Sequence, residues 1–263
     1  MEGAITTLDN QIGRKLAIDN LFVRWTHQLP VRVARWDQSQ GIIPMISWAG
    51  APANLISSGV YDGMIRADAL QLRALRKPVM LRWFAEMDGI AKHPLAQSPG
   101  RFIAAWRHVH DIFTRAGAGN VTWVWCPNAF NFAGGVSQAY YPGGSYVGWI
   151  CADGYNWSPG RPHASWVSIA RIFSAFYHWG LGTGKPMMIG EFGVMERAPG
   201  QKAAWFRQAD EQLRTQLTGI KAIVYFNSVD SPMNWRVTSS SASLAAFRAF
   251  ARDPYFGSRV PVS

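Results

Sequence analysis

Apolar runs of strand length recur along the chain, and most are nearly continuous in apolar residues rather than alternating with polar ones. They occupy residues 17–25, 41–50, 77–86, 120–128, 148–157, 185–193 and 220–228. A strand that is covered on both faces of its sheet has this pattern, because neither face is left in water. The runs therefore predict a buried and mainly parallel sheet.

Helical periodicity fills the stretches between these runs. Apolar residues recur at helical spacing over 63–76, 100–117, 165–180 and 201–217. A regular alternation of buried strands with amphipathic helices is typical of parallel α/β folds. We predict a (β/α)8 TIM barrel that forms one domain over residues 1–263, because single barrels commonly have this length.

The pattern provides one strand fewer than a closed (β/α)8 barrel needs. A helix-like stretch, "ITTLDNQIGRKL", precedes the first apolar run. We therefore expect the first barrel strand to be missing or replaced, either because the chain starts late or because another segment closes the gap. The tail "GSRVPVS" is one candidate segment, although its proline disfavours a strand.

Composition excludes some classes of function. The net charge is +10, but no cluster of five or six basic residues marks a nucleic-acid site, so we predict a basic surface without nucleic-acid binding. No apolar run reaches the roughly 18 residues of a membrane span. The start, "MEGAITTLDN", lacks the basic and apolar regions of a signal peptide.

The two cysteines, Cys126 and Cys151, have neither zinc-site nor redox-motif spacing. Both lie in apolar runs, and we predict free, buried thiols rather than a disulfide. The chain is also rich in aromatic residues, with 13 tryptophans. An interior cannot hold all of these rings cheaply, so some are expected to line a groove where sugar rings can stack.

Two glutamates, Glu86 and Glu191, end apolar runs. In a parallel barrel the carboxyl ends of all strands open on the same face, so we expect these side chains to meet there. Strand alternation would turn Arg82 to the same side as Glu86, where it could influence the ionisation of the carboxyl group. Paired carboxylates are the machinery of glycoside hydrolysis. The alternative is that both are ordinary residues at strand ends.

The flanking residues carry a family resemblance. The motifs "LRWFAEMDG", "VTWVWCPN", "YYPGGSYVGWICADGYNW", "KPMMIGEFG" and "KAIVYFNS" follow one another in an order that resembles glycoside hydrolase family 26, the β-mannanase group of retaining (β/α)8 enzymes. The match runs from about Asp19 to Phe256, nearly the whole chain. A single motif of this kind would be weak evidence, whereas several in register are strong.

The resemblance implies a role for particular residues. Glu86 matches the general acid/base and Glu191 the nucleophile. Tyr155 matches a tyrosine that contacts the nucleophile, and Trp235 matches the tryptophan at the floor of the cleavage subsite. The remaining substrate-binding residues that the resemblance implies are Arg82, Trp125, Asn128 and Trp157.

The sequence departs from the family pattern on one side of the predicted site. Ala85 replaces a histidine, Asp88 an asparagine, Ala91 a tryptophan, and Gly148 an aspartate. We expect the negative charge of Asp88 to favour the protonated form of Glu86. The resemblance implies a retaining endo-glycoside hydrolase of a neutral, β-linked polysaccharide, with β-1,4-mannan or glucomannan as the first candidate substrate. Because of the substitutions, mixed-linkage β-glucan and β-1,3-xylan stay open as alternatives. The substitutions also leave open a catalytically impaired, carbohydrate-binding barrel.

The remaining expectations follow from the mechanism and the family. Two carboxylates need no metal and no organic cofactor, and none is predicted. The expected partner is a polysaccharide or oligosaccharide substrate, bound by a monomer that associates with neither nucleic acid nor a membrane. The family resemblance implies an extracellular protein.

Overall fold

A computed structural model describes residues 2–257 of the chain. Seven parallel strands form one sheet in sequential order. The strands are β1 (Ile18–Val23), β2 (Ile43–Trp48), β3 (Val79–Trp83), β4 (Val121–Trp125), β5 (Trp149–Asn156), β6 (Met187–Val194) and β7 (Ile220–Tyr225). Each predicted apolar run contains one of these strands, so the strand prediction is confirmed.

α-Helices lie between most successive strands, before β1 and after β7, whereas only short 3-10 helices lie between β4 and β5. The α-helices are α1 (Glu2–Ile12), α2 (Val31–Gln40), α3 (Ala53–Ser57), α4 (Asp62–Arg73), α5 (His93–Ala96), α6 (Pro99–Arg115), α7 (Ile169–Leu181), α8 (Gln201–Thr215) and α9 (Ser241–Arg252). The predicted helical segments correspond to α4, α6, α7 and α8. The prediction missed α2, α3, α5 and α9, and also a two-stranded antiparallel hairpin of β8 (Val229–Asp230) and β9 (Met233–Asn234).

The alternation of parallel strands and helices is that of a (β/α)8 fold with seven barrel strands in the described residues. Helix α1 precedes β1, as the helix-like stretch predicted. The tail that was considered as a replacement strand lies, apart from Gly257, outside the described residues. None of the helices within residues 2–257 combines the length and hydropathy that a bilayer crossing needs.

The described chain divides into two compact units. The first unit is Ala17–Cys151, and the second comprises the described parts of Met1–Leu16 and Ala152–Val260. Strand β5 contributes residues to both. The prediction of one domain over residues 1–263 stays a prediction.

Aromatic packing between β3 and α6 forms much of the core of the first unit. Every residue of β3 is buried. The Trp83 ring stacks on Phe102 at 6.0 Å and tilts against Trp106 at 5.7 Å, measured between ring centroids. Helix α6 begins at Pro99, and the side chain of Ser98 caps it by accepting a hydrogen bond from the backbone N–H of Arg101. This packing anchors the strand that leads into Glu86.

The second unit has a comparable aromatic core beneath β7. Phe206 of α8 lies 5.5 Å from Tyr225 and 5.1 Å from Phe247 of α9 between ring centroids. Each buried phenylalanine contributes about 2–3 kcal/mol of hydrophobic free energy. The guanidinium of Arg14, which follows α1, donates a hydrogen bond of 2.6 Å to the carbonyl of Ala251. The N-terminal helix is thereby attached to α9.

The prediction of free thiols is wrong, because Cys126 and Cys151 form a disulfide. Strands β4 and β5 pair in parallel with Trp125 opposite Ile150. The residues that follow in each strand are the two cysteines, and their Cα atoms lie 4.4 Å apart. Spacing along the sequence could not reveal this proximity, since it depends on the register of the two strands.

Candidate active site

Glu86 lies on a turn beyond the end of its strand. Strand β3 ends at Trp83, and the residues at 84 and 86 have left-handed backbone angles, with φ of 50° and 57°. The Phe84 N–H donates to the carbonyl of Trp48, and the Glu86 N–H donates to that of Cys126, each at 2.8 Å. The turn is thus held from both neighbouring strands.

This backbone corrects the argument from strand alternation. Alternation cannot be counted from Arg82 to Glu86, because the intervening residues leave the extended conformation. Left-handed angles in residues other than glycine are uncommon and cost free energy, and they concentrate at functional positions. Gly50 makes the turn possible, since a Cβ there would lie only 2.0 Å from the Phe84 ring.

Arg82 is a buried charge in the first unit, with 1% of its surface exposed. Its Nε donates a 2.7 Å hydrogen bond to Ser47 Oγ, and Ser47 in turn donates to Asn20 Oδ1. A second guanidinium nitrogen lies 3.8 Å from the sulfur of Cys126. The ring of Phe22, which is 58% exposed, lies 5.6 Å from the guanidinium carbon. Arg82 therefore connects β1, β2 and β4 in this unit.

Trp125 and Asn128 support the loop after β4. Trp125 is fully buried, and its indole N–H donates to the carbonyl of Tyr140 at 3.1 Å. The side-chain amide of Asn128 donates to Asp88 Oδ1 at 2.8 Å. Burial and the charge of Asp88 both raise the pKa of Tyr140, with burial the larger cause. In this structure both predicted substrate-binding residues contact protein groups that shape the loop.

Glu191 and Tyr155 form a direct hydrogen bond in the second unit. Glu191 lies within β6 and is 9% exposed, and the Tyr155 hydroxyl donates to its Oε2 at 2.5 Å. A phenol that donates to a carboxylate restricts the rotation of that carboxylate and stabilises its negative charge. The contact that the family resemblance implied for Tyr155 is therefore present in the structure.

The ring of Tyr155 packs against other aromatic rings of the second unit. The Tyr155 ring lies 4.9 Å from both Trp157 and Trp235 between ring centroids. Trp235 is 1% exposed, so its ring is buried against Tyr155 and Trp157 rather than open at the surface. A Cβ on Gly193 would lie 2.9 Å from both Trp235 and Tyr155, which explains the glycine two positions after Glu191.

Lys202 is a functional candidate that the sequence analysis missed. It is fully buried at the start of α8, and its ammonium donates to the carbonyls of Trp235 at 3.0 Å and Arg236 at 2.7 Å and to Ser239 Oγ at 3.1 Å. Burial lowers its pKa to about 8, and the carboxylate of Glu196 partly opposes this effect. Nothing in "GQKAAWF" distinguishes this lysine from a solvated one at a helix start.

Asp88 is half-buried and accepts several hydrogen bonds from the loop after β4. Besides the two N–H groups of Asn128, its carboxylate accepts from the side chains of Asn131 and Ser137. From the sequence, the charge of Asp88 was the visible signal, and its hydrogen-bond partners were not.

The disulfide occupies the sulfurs of Cys126 and Cys151, which could otherwise act as metal ligands.

Solved structures share this fold at low sequence identity. The GH26 β-mannanase of Bacteroides ovatus is 15% identical, with a TM-score of 0.63, and the match covers 91% of this chain and 80% of that chain. A β-mannanase from a symbiotic protist of the termite Reticulitermes speratus is 14% identical, with a TM-score of 0.68 and coverage of 99% and 85%. A variant of the endo-β-1,4-glucanase of Xanthomonas axonopodis pv. citri is 12% identical, with a TM-score of 0.69 and coverage of 95% and 90%.

The chain therefore has the fold of the (β/α)8 glycoside hydrolases. Its strand β6 carries Glu191, the carboxylate to which Tyr155 donates a hydrogen bond. The sequence model of one family, described as glycosyl hydrolase family 26, matches residues 30–230. The chain belongs to glycosyl hydrolase family 26. Endoglucanase H of Acetivibrio thermocellus is 34% identical over an alignment of 259 residues, and the match covers 94% of this chain. The match covers only 29% of the length of Endoglucanase H.

Proposed function

We propose that the chain is a retaining endo-glycoside hydrolase that cleaves a neutral, β-linked polysaccharide. Glu191 is the nucleophile and Glu86 the general acid/base. The hydrogen bond from Tyr155 to Glu191 is the observation that carries the proposal, because it holds a nearly buried carboxylate in one orientation. Family membership supports the reaction class.

The reaction has two steps with opposite roles for Glu86. Glu86 first protonates the glycosidic oxygen while Glu191 attacks the anomeric carbon, which gives a covalent glycosyl-enzyme. Glu86 then removes a proton from the water that hydrolyses this intermediate. The mechanism requires the two carboxyl groups to stand about 5–5.5 Å apart, and the product keeps its anomeric configuration. It needs no metal and no organic cofactor.

Two alanine variants test this assignment. Glu191→Ala should abolish turnover, and Glu86→Ala should lower kcat/KM on polysaccharide by about 100- to 10,000-fold, the usual contribution of a general acid. Azide should restore turnover of Glu86→Ala on an activated aryl glycoside and give a β-glycosyl azide. Glu211→Ala, which changes an exposed glutamate of α8, is the matched control. Full activity of Glu191→Ala would refute the proposal.

For the substrate we place β-glucan first. The relative with 34% identity is named an endoglucanase, and the mannanase pattern is interrupted at Ala85 and Ala91. β-1,4-Mannan or glucomannan is the second candidate, because the motifs around Glu86 and Glu191 resemble those of β-mannanases. Initial rates on lichenan, cellulose, mannan, glucomannan and β-1,3-xylan separate these substrates. A preference for mannan over every glucan would reverse the order.

A carbohydrate-binding barrel without catalysis is the alternative from another class, and the same substitutions motivate it. It predicts that the wild type and Glu191→Ala release no reducing sugar from any of these polymers while both retain binding. Hydrolysis of any of these polymers by the wild type but not by Glu191→Ala would exclude a barrel that only binds carbohydrate.

The disulfide supports an extracellular location. Disulfides form and persist in oxidising compartments and are rare in the cytosol, and Cys126 and Cys151 are bonded within the fold. We also propose a monomer whose partner is the polysaccharide, without nucleic acid or membrane. Light scattering and a nucleic-acid retention assay test these two statements.

A further inference from the structure

The turn that carries Glu86 and the loop after β4 share a cluster of polar side chains, which we call the Asp88 cluster (Asp88, Asn128, Asn131 and Ser137). Asp88 Oδ1 accepts from the backbone N–H of Asn128 at 3.0 Å and from its side-chain amide at 2.8 Å. Oδ2 accepts from Asn131 Nδ2 at 3.1 Å and Ser137 Oγ at 2.6 Å. Every one of these partner groups donates a hydrogen bond to Asp88. An ionised carboxylate suits this set of donors because it only accepts hydrogen bonds.

The cluster binds the backbone of the turn as well as the carboxylate of Asp88. The carbonyl of Asp88 accepts a second hydrogen bond from Asn131 Nδ2 at 3.1 Å. The carbonyl of Glu86 accepts from the N–H of Gly89 at 2.9 Å, so the peptide after Glu86 is held from both ends of the turn. A residue with a left-handed φ needs such support, because surrounding contacts must offset its backbone cost.

The other side of the cluster is anchored in the core of the first unit. Ser137 is fully buried, and its Oγ, which donates to Asp88, also lies 3.1 Å from the carbonyl of Asn128. The loop is further held by the bond from the buried Trp125 indole to Tyr140. The cluster therefore connects the turn to residues that are buried in the first unit.

We propose that Asp88 is a positioning residue for the general acid/base Glu86, acting through the turn that both residues share. This inference rests on the proposed function and extends it. It also explains the departure from the family pattern at this position. An asparagine there would direct its NH2 group at donors and leave at least one of them without an acceptor.

The test uses the dependence of rate on the leaving group. In the first chemical step, an aglycone such as phenol requires protonation, whereas 2,4-dinitrophenol leaves without an acid. Because kcat/KM covers substrate binding and this first irreversible step but not the later hydrolysis of the glycosyl-enzyme, a displaced acid lowers kcat/KM for phenyl glycosides and spares it for dinitrophenyl glycosides. A purely structural or binding defect lowers both.

Asp88→Asn should lower kcat/KM on lichenan and on a phenyl cello-oligosaccharide by about 10- to 100-fold, within the range of general-acid effects. The value on the dinitrophenyl analogue should change by less than about threefold. Asp62→Asn, which removes a carboxylate paired with His108 between α4 and α6, is the matched control and should change neither. Ser137→Ala removes one donor and should give a smaller loss of the same selectivity, which covers the case in which Asp88→Asn does not fold.

Equal losses on both aglycones, or no loss on either, would overturn the inference. The proposed function is judged separately, from the wild type and Glu86→Ala on the same two substrates. If Glu86→Ala shows no selective loss on the phenyl substrate, Glu86 is not the acid and the proposed function fails. If Glu86→Ala loses kcat/KM selectively on the phenyl substrate and Asp88→Asn does not, only the positioning role of Asp88 is refuted.

Discussion

Tyr155 is the residue whose contribution the structure defines most directly. Its hydroxyl donates to Glu191, and a hydrogen bond to a charged group is worth about 1.5–3 kcal/mol. Tyr155→Phe should therefore lower kcat/KM by about 10- to 100-fold while the ring keeps its packing against Trp157 and Trp235. Tyr177→Phe removes a hydroxyl that accepts from the N–H of Gly219 in the same unit and should leave kcat/KM unchanged. Equal rates for wild type and Tyr155→Phe would contradict a role for the hydroxyl.

Lys202 gives the unfolding free energy a specific pH dependence. Its pKa falls from 10.5 to about 8 because it is buried, while Glu196 opposes the shift. Between about pH 8 and pH 10.5 the unfolded chain therefore binds more protons at this lysine than the folded chain does. Stability from this group must rise with pH across that window, by up to about 1.4 kcal/mol per pH unit, and stay constant below it.

Lys202→Arg isolates this effect, because arginine stays charged throughout the pH range. The unfolding free energies of wild type and variant are measured in urea at several pH values between about 7 and 10. Above about pH 8, the unfolding free energy of the wild type should rise with pH relative to that of Lys202→Arg. A difference that is flat or declines across the window would show that burial does not lower the pKa of Lys202.

At single residues, short motifs are enough to predict a role but not the local backbone or the hydrogen-bond partners, and the roles themselves stay predictions. Glu86, Glu191 and Tyr155 follow from short sequence motifs. The left-handed turn at Glu86 depends on Gly50 making room for Phe84, and the sequence does not show this contact. The partners of Asp88 come from a loop about 40 residues further on, so charge alone was the visible signal.

At the scale of elements, the disulfide joins the ends of two neighbouring strands. It closes a loop over a sequence separation of 25 residues, for which the chain-entropy argument gives about 3 kcal/mol. The double variant Cys126→Ala with Cys151→Ala should lose about that much unfolding free energy in urea. Reduction should destabilise the wild type by a similar amount and leave the double variant unaffected. A reductant effect of equal size on both proteins would contradict the assignment.

Strands were easier to predict than helices, for a physical reason. Burial on both faces demands continuous apolar runs, and every residue of β5 and β6 is buried. A helix that covers a sheet needs only a narrow apolar stripe. In α2 only Val33, Ala34 and Asp37 are buried, so its sequence "VRVARWDQSQ" is mostly polar and was missed. The hairpin of β8 and β9 has two residues in each strand and leaves no periodic signal.

At the scale of the whole molecule, the order of strands and helices was predictable and the register was not. Alternation of buried runs with helical stretches defines a (β/α)8 fold, and the described residues contain seven strands in that order. The register between β4 and β5 is set by the packing of complete elements. Because register brings Cys126 to Cys151, the error over the thiols has the same physical origin.

The net charge of +10 provides a last test of the substrate class. A neutral polysaccharide gains nothing from the basic surface, so kcat/KM on lichenan should change by less than about twofold between about 50 and 500 mM NaCl. A charged polymer behaves differently, because salt screens its attraction to the protein. Carboxymethyl cellulose, a β-1,4-glucan that carries added carboxylates, is the matched control, and its KM should rise with salt. If KM for lichenan rises as steeply, electrostatic attraction is not specific to charged polymers, and the proposal of a neutral substrate is wrong.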